Sequence, residues 1–261
     1  MKSKGLIITL IILLTIIIAG LITIMVLFIN GTLSFKDFKI GGRKSENLLF
    51  NEKYSIEEVT CLDIKHDAGD IILENTNESN YIRVEVYGEK QEDVELSLIE
   101  NKLTVNYKNR SGGFWENVYG DIKLYVPSSF YGNIKIENDA GEIKIANFEN
   151  ADFDINCDAG NVDIGKIKSI KADCDAGNIK IDSISSYCDI QVDAGNLEIK
   201  QITLDKDSKI KTDMGNVRID KAEKIYVEGH VNLGNCNIDN NDRSSNITLK
   251  INSDMGNITV K

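Results

Sequence analysis

The sequence predicts an all-β fold: a β-solenoid of single-stranded, β-helix-like coils of about 19 residues each, preceded by one transmembrane helix. Three observations predict it. A short motif recurs through the chain at near-constant spacing, the residues on both sides of each motif alternate with period two, and an unbroken apolar run stands at the N-terminus.

The apolar run comes first. Residues 6–29, LIITLIILLTIIIAGLITIMVLFI, are interrupted only by Thr9, Thr15, Gly20 and Thr23. As a helix the run would be about 36 Å long, enough to cross a hydrocarbon core of about 30 Å. A cleaved signal peptide has a shorter apolar region, about 7–15 residues, and a small-residue cleavage site. Residues 1–29 are therefore expected to be an uncleaved membrane anchor. Lys2 and Lys4 before the run are outnumbered by Lys36, Lys39, Arg43 and Lys44 after it, which leans against export. A long C-terminal domain translocates largely regardless of that balance, so it is expected outside the cytoplasm. Residues 30–55, glycine-containing and of mixed charge, are expected to form a stalk.

The motif D-A-G-D/E/N followed by an apolar-x-apolar triplet appears at 67–73, 139–145, 158–164, 175–181 and 193–199, and in degraded form at 213–219, 232–238 and 254–260. From Gly141 the glycines are spaced by 19, 17, 18, 20, 19 and 22 residues. Seven and five positions before each glycine the residue is mostly apolar, and six before it is charged in every copy; two and four positions after it the residues are again apolar. Two short strands thus flank each glycine, and the D-x-G-N step is a corner where the phase resets. Glycine supplies the positive φ of that corner, and Asp and Asn hydrogen-bond turn backbone. Burial of an aliphatic side chain yields about 1.5–3 kcal/mol, whereas ordering each backbone costs about 1–2 kcal/mol. A unit of this size needs neighbours on both sides, and coils stacked about 4.8 Å apart provide them. The alternative is a meander of hairpins in an antiparallel sandwich.

Between the first and second copies lie YIRVEVYG (81–88), VELSLIENKLTVNYK (94–108) with ENK as a hairpin turn, the loop 109–120 and DIKLYVP (121–127). These read as longer strands of an N-terminal section, residues 81–131, covering the first coil of a solenoid domain that spans 56–261. Pro127, the only proline, falls at a strand end where its missing N–H costs least.

Composition narrows the function. The 261 residues are 42% hydrophobic and 27% charged, which excludes a disordered chain, and a net charge of −11 excludes nucleic acid as a partner. Five cysteines without a CxxC pair form neither a zinc motif nor a disulfide framework.

The single N-terminal span, the LYVP segment, SSFYGNIKIENDAGEIKI and the repeated G-N/D/E-apolar-x-apolar units together resemble the bacterial DUF4097 family of adhesin-like proteins over roughly residues 56–261. The resemblance implies a β-solenoid domain on an envelope protein. It supplies no catalytic residues, and some family members are encoded with envelope-stress signalling components.

Candidate chemistry is sparse. Two residues before the glycines stands a column of Asp67, Asp139, Asp158, Asp175, Asp193, Asp213, Asn232 and Asp254. Stacked carboxylates about 5 Å apart repel by about 1 kcal/mol even in water. Either calcium lies between them and the Asn or Glu three residues on, or each accepts backbone N–H bonds across its corner with Lys and Arg as counter-charges; the second reading is preferred and no cofactor is expected. Cys157 and Cys174 share one phase in consecutive copies, at disulfide distance, and read as a buried thiol column; Cys61, Cys188 and Cys236 read as core. His66 and His230 differ in phase and suggest no shared metal or relay. Phe114, Trp115 and Tyr119 form a glycine-flanked loop, either a recognition tip for glycan or protein or a plug for the solenoid end. The last copy leaves no residues for a cap, so its coil is expected to be open to self-association by strand addition. The expectation is a non-catalytic, membrane-anchored adhesin or envelope-associated binding module. The alternatives are an accessory of an envelope-stress signalling system and a polysaccharide-active enzyme.

Overall fold

Every coil from Gly69 onward closes at a glycine stacked on another glycine. The backbone at Gly177 has φ +148°, and a Cβ there would overlap the carbonyl oxygen of Gly160; the same relation links Gly195 to Gly177 and Gly215 to Gly195. Only a residue without a Cβ can hold this conformation against a neighbouring coil's backbone. The glycines form a spine along which the rest of the fold is in register.

The computed structural model describes residues 43–108, 118–239 and 241–261. Arg43–Lys261 is one compact unit, all-β and without an α-helix among the described residues. No helix among them is long and apolar enough to cross a membrane, and the expected anchor, 6–29, lies outside them.

Two parallel ladders run along the stack. The first carries the residues before each glycine, with Ile136↔Ile155↔Ala172↔Ile190↔Ile210 in register; the second carries those after it, with Ile143↔Val162↔Ile179↔Leu197↔Val217. A short third ladder, Phe148↔Ile167↔Ile184↔Ile202↔Ala222, completes the coil. Because the aliphatic positions of all three point inward, Ile, Leu and Val columns fuse into one core. The parallel pairing is that of stacked coils and not of the antiparallel hairpin meander.

Spatial order departs from sequence order at the C-terminal end. Thr248–Met255 pairs with Ser208–Met214 on one side and with Tyr226–Leu233 on the other. Ile258–Val260 likewise lies between Val217–Ile219 and Cys236–Ile238. The last copy in sequence is thus an interior coil, which corrects its expected terminal place, and among the described residues the free end of the stack is the coil of residues 226–238. Packing explains the exchange. Gly229 occupies a core column that holds Ile64, Ile136, Ile155, Ala172, Ile190, Ile210 and Ile251 in the other copies. Enclosed between two coils, it would leave a void; at the end of the stack Cys236 and Ile238 lie over it. Cys236, expected in the core, is exposed for the same reason.

The N-terminal end is built differently. Lys102–Tyr107 and Ile122–Pro127 join the two ladders beside Cys61–His66 and Ile71–Thr76. Val94–Ile99 then pairs antiparallel with Lys102–Tyr107 through a turn at Glu100 and Asn101, with φ 49° and 63°. Tyr81–Tyr87 pairs antiparallel with Ile122–Pro127 and with Leu48–Ser55. Leu48–Ser55 belongs to the stretch expected as a stalk. Instead it is built into the sheet, because its half-buried Phe50 and Tyr54 pack on the core.

Candidate binding groove

The residue between the two apolar positions after each glycine faces outward. Its column reads Lys144, Asp163, Lys180, Glu198, Arg218 in register, alternating in sign. The column six before the glycine does the same on the other face: Asp63, Lys135, Asp154, Lys171, Asp189, Lys209. Opposite charges on neighbouring strands each contribute about 0.2–1 kcal/mol, so the pattern rewards the native register.

Beside the first of these columns the chain bends into the third ladder, and the bend leaves a shallow groove of about 400 Å³ bordered by Ile72, Glu74, Lys144, Asn147, Asp163 and Asp182. It is narrow at Gly165, where a Cβ would overlap the Asn147 amide oxygen. Asn147 is itself fixed, accepting the Lys166 N–H at 2.8 Å. A second hollow of about 290 Å³ adjoins it, lined by Asp163, Lys180, Asp182, Glu198 and Lys200. Asp163 and Asp182 border both, so the two make one polar trough across successive coils. Lys200 pairs with Asp182 at 2.6 Å, and Lys144 with Glu142 at 2.7 Å. Those hydrogen bonds raise both lysines above the ordinary ammonium range. The trough therefore offers cationic donors and anionic acceptors along one line.

The aspartate column runs along the corners of the stack. Asp139, Asp158 and Asp175 are exposed. Burial, then the charges of Asp158, Asp67 and Glu137, raise the Asp139 carboxyl above its usual range. Asp213 is held by Lys211 at 2.8 Å, Asp193 by the Gln191 amide at 3.0 Å, and Asp254 by Asn232 at 2.8 Å. The Asn residues three positions on form a ladder of their own. Asn178 Oδ1 accepts both the N–H (3.1 Å) and the Nδ2–H (3.0 Å) of Asn196, and Asn196 Oδ1 does the same for Asn216. Both lone pairs of each of these oxygens are engaged within the ladder. Among the described residues no three His, Cys, Asp or Glu side chains are grouped to hold a metal ion.

Cys157 and Cys174 face each other in register as buried free thiols, and the hydrogen bond between them, then burial, pushes the Cys174 thiol well up. Burial pushes the Cys188 thiol up to about 12. His66 stands in the same inward column. It is bonded to Gly120 O at 2.9 Å and stacked on Tyr107, and burial lowers its pKa. His230 is exposed on the terminal coil, so the structure does not bring the two histidines together. Of the loop aromatics, Tyr119 lies in strand Val118–Tyr119, paired with Arg43–Lys44; Phe114 and Trp115 lie outside the described residues. The groove was not anticipated. Its signal was the alternating sign of Lys144, Asp163, Lys180 and Glu198, which reads in sequence only as a polar position.

No curated protein matches the chain. Among solved structures it is similar to a "putative adhesin" from Bacteroides fragilis (13% identity, 84% of this chain and 100% of that one covered, TM-score 0.46). It is also similar to a "putative adhesin" from Parabacteroides distasonis (14%, 85% and 98%, TM-score 0.43) and a "putative cell adhesion protein" from Clostridium sporogenes (12%, 81% and 98%, TM-score 0.35). The family model Toastrack DUF4097 matches residues 115–261, more than half of the sequence, and the chain belongs to that family.

Proposed function

We propose that the chain is a non-catalytic, adhesin-like binding module, anchored in the membrane by residues 6–29 with its solenoid outside the cytoplasm, and that its trough holds an extended envelope glycan. The observation that carries this reading is the line of Lys144, Asp163, Lys180, Asp182, Glu198 and Lys200 along one groove. A polymer rich in hydroxyls takes hydrogen bonds from both ammonium donors and carboxylate acceptors, and in-register strands repeat those groups about every 4.8 Å.

The test is binding of the detergent-solubilised full chain to immobilised bacterial cell-wall polysaccharide, with and without Asp163→Ala plus Lys180→Ala. Both side chains are exposed, so the double variant should lose no more than the about 0.2–1 kcal/mol of each column contact it removes and should keep its fold, which far-UV spectra would verify. The reading predicts a loss of binding of about tenfold or more, the scale of one charged hydrogen bond. No binding by the unaltered chain, or binding indifferent to the pair, would overturn it. Protease treatment of intact cells tests the orientation: cleavage of the acidic domain is expected, and its protection would contradict an external location.

A further inference from the structure

Among the described residues, the coil of residues 226–238 is paired on one side only. Tyr226 directs its N–H inward to Ile247 O at 2.9 Å, so alternation turns the peptide groups of Val227, Gly229 and Val231 outward. Among the described residues Val227 alone is covered there: its N–H donates to Asn241 Oδ1 at 2.8 Å, and Asn241 Nδ2 donates to its carbonyl at 2.9 Å. The core column beneath is partly open, with Val231 and Ile238 half-buried and Cys236 exposed. Alongside runs an exposed apolar row, Met214↔Met255↔Leu233, of which Leu233 is 68% exposed.

The sequence of this edge names its occupant. Residues 227–231 read Val-Glu-Gly-His-Val, so reversal about Gly229 sets apolar against apolar and acid against imidazole. If two copies pair antiparallel with Gly229 on a two-fold axis, each Val227 lies opposite the second copy's Val231 on the core side. Each Glu228 then lies opposite the second copy's His230 on the outer side. Directly opposed residues share a face in an antiparallel pair, so no side chain is misplaced. Glu228 is the only acidic residue between Tyr226 and Ile238 in a chain of net charge −11, so this is a surface where two acidic copies can approach.

We propose that the free edge of coil 226–238 is a two-fold contact between two copies of this chain, centred on Gly229 and moderated by Asn241. The contact uses the same patch on both copies, so it closes at a dimer and does not propagate into a fibre. Asn241 occupies the Val227 peptide that the second copy's Val231 must engage, and its side chain competes with pairing. The proposal is independent of any glycan in the trough.

Sedimentation velocity of the detergent-solubilised full chain over a concentration series tests it. The unaltered chain is expected to dimerise reversibly. His230→Glu places carboxylates opposite one another and should weaken the dimer about tenfold or more. Adding Glu228→Lys to that variant restores opposite charges and should recover most of the loss, while Asn241→Ala should tighten association. All three sites are on the edge, and unchanged far-UV spectra would verify the fold of each variant. A chain monomeric at every concentration, or a dimer that ignores His230→Glu, as one made through the membrane span would, overturns the proposal; so does failure of the charge reversal to rescue.

Discussion

The carbonyl of Gly215 stands where a Cβ of residue 256 would be, so Gly256 stacks directly on a glycine 41 positions earlier, and Gly234, between them in sequence, stacks on Gly256. The chain lays down the coil 226–238, and Thr248–Met255 then lies between it and Ser208–Met214.

The exchange leaves a like-charge contact. The column six before the glycine alternates in sign until Lys209, which is followed by Lys250 and then Glu228. Exchanging the last two, Lys250→Glu with Glu228→Lys, restores strict alternation and should stabilise the domain by about 0.5 kcal/mol in urea unfolding. In a stack that followed sequence order the same exchange would create the like pair, and the change would have the opposite sign.

The glycine spine should be intolerant of a single methyl group. Gly177→Ala forces a Cβ into the Gly160 carbonyl at φ +148°. Strain and overlap together should cost roughly 3 kcal/mol. Calorimetry would then show a melting temperature lower by roughly 6–12 °C in a domain of this size.

These corners were legible in the sequence, because the D-x-G-N step and the alternation around it recur with little variation. The order of the last coils was also written there, in Gly229 and Cys236 at columns otherwise filled by Ile, Val, Leu or Ala. A repeat suggests that chain order is stacking order, and that expectation masks the signal. Strand Leu48–Ser55 was hidden by its charged residues Glu52 and Lys53, which suit an exposed antiparallel strand as well as a stalk. The trough depends on where the chain bends after Ile145 and Ile164, and no periodicity marks that.

The asparagine ladder, not the aspartate column, should bind the corners together. Asn178→Ala removes an acceptor for two donors of Asn196 and the donor to Asn161. The side chain is exposed, so the freed groups find water and the expected cost is about 1 kcal/mol. Asp175→Ala should cost less, and a comparison of the two by chemical unfolding ranks the columns.

Acid should weaken the fold through His66. Burial lowers its pKa from 6.5, so below that value the unfolded chain takes up a proton that the folded chain refuses. Stability is complete above pH 6.5 and declines as pH falls, until the folded imidazole is protonated as well. Melting curves at pH 7.5 and 5.5 should differ in the unaltered chain and differ less in His66→Asn, which places a second amide beside Asn138.

Coil order underlies the core, the charge columns and the free edge, and cross-linking tests it directly. With Cys236→Ser removing the nearest native thiol, Arg218→Cys with Thr259→Cys places cysteines on in-register neighbours, about 4.8 Å apart and within disulfide reach. Arg218→Cys with Asn237→Cys places them two coils apart. Oxidation followed by peptide mass spectrometry should find the disulfide in the first variant and not in the second; the reverse result would contradict the order of the stack.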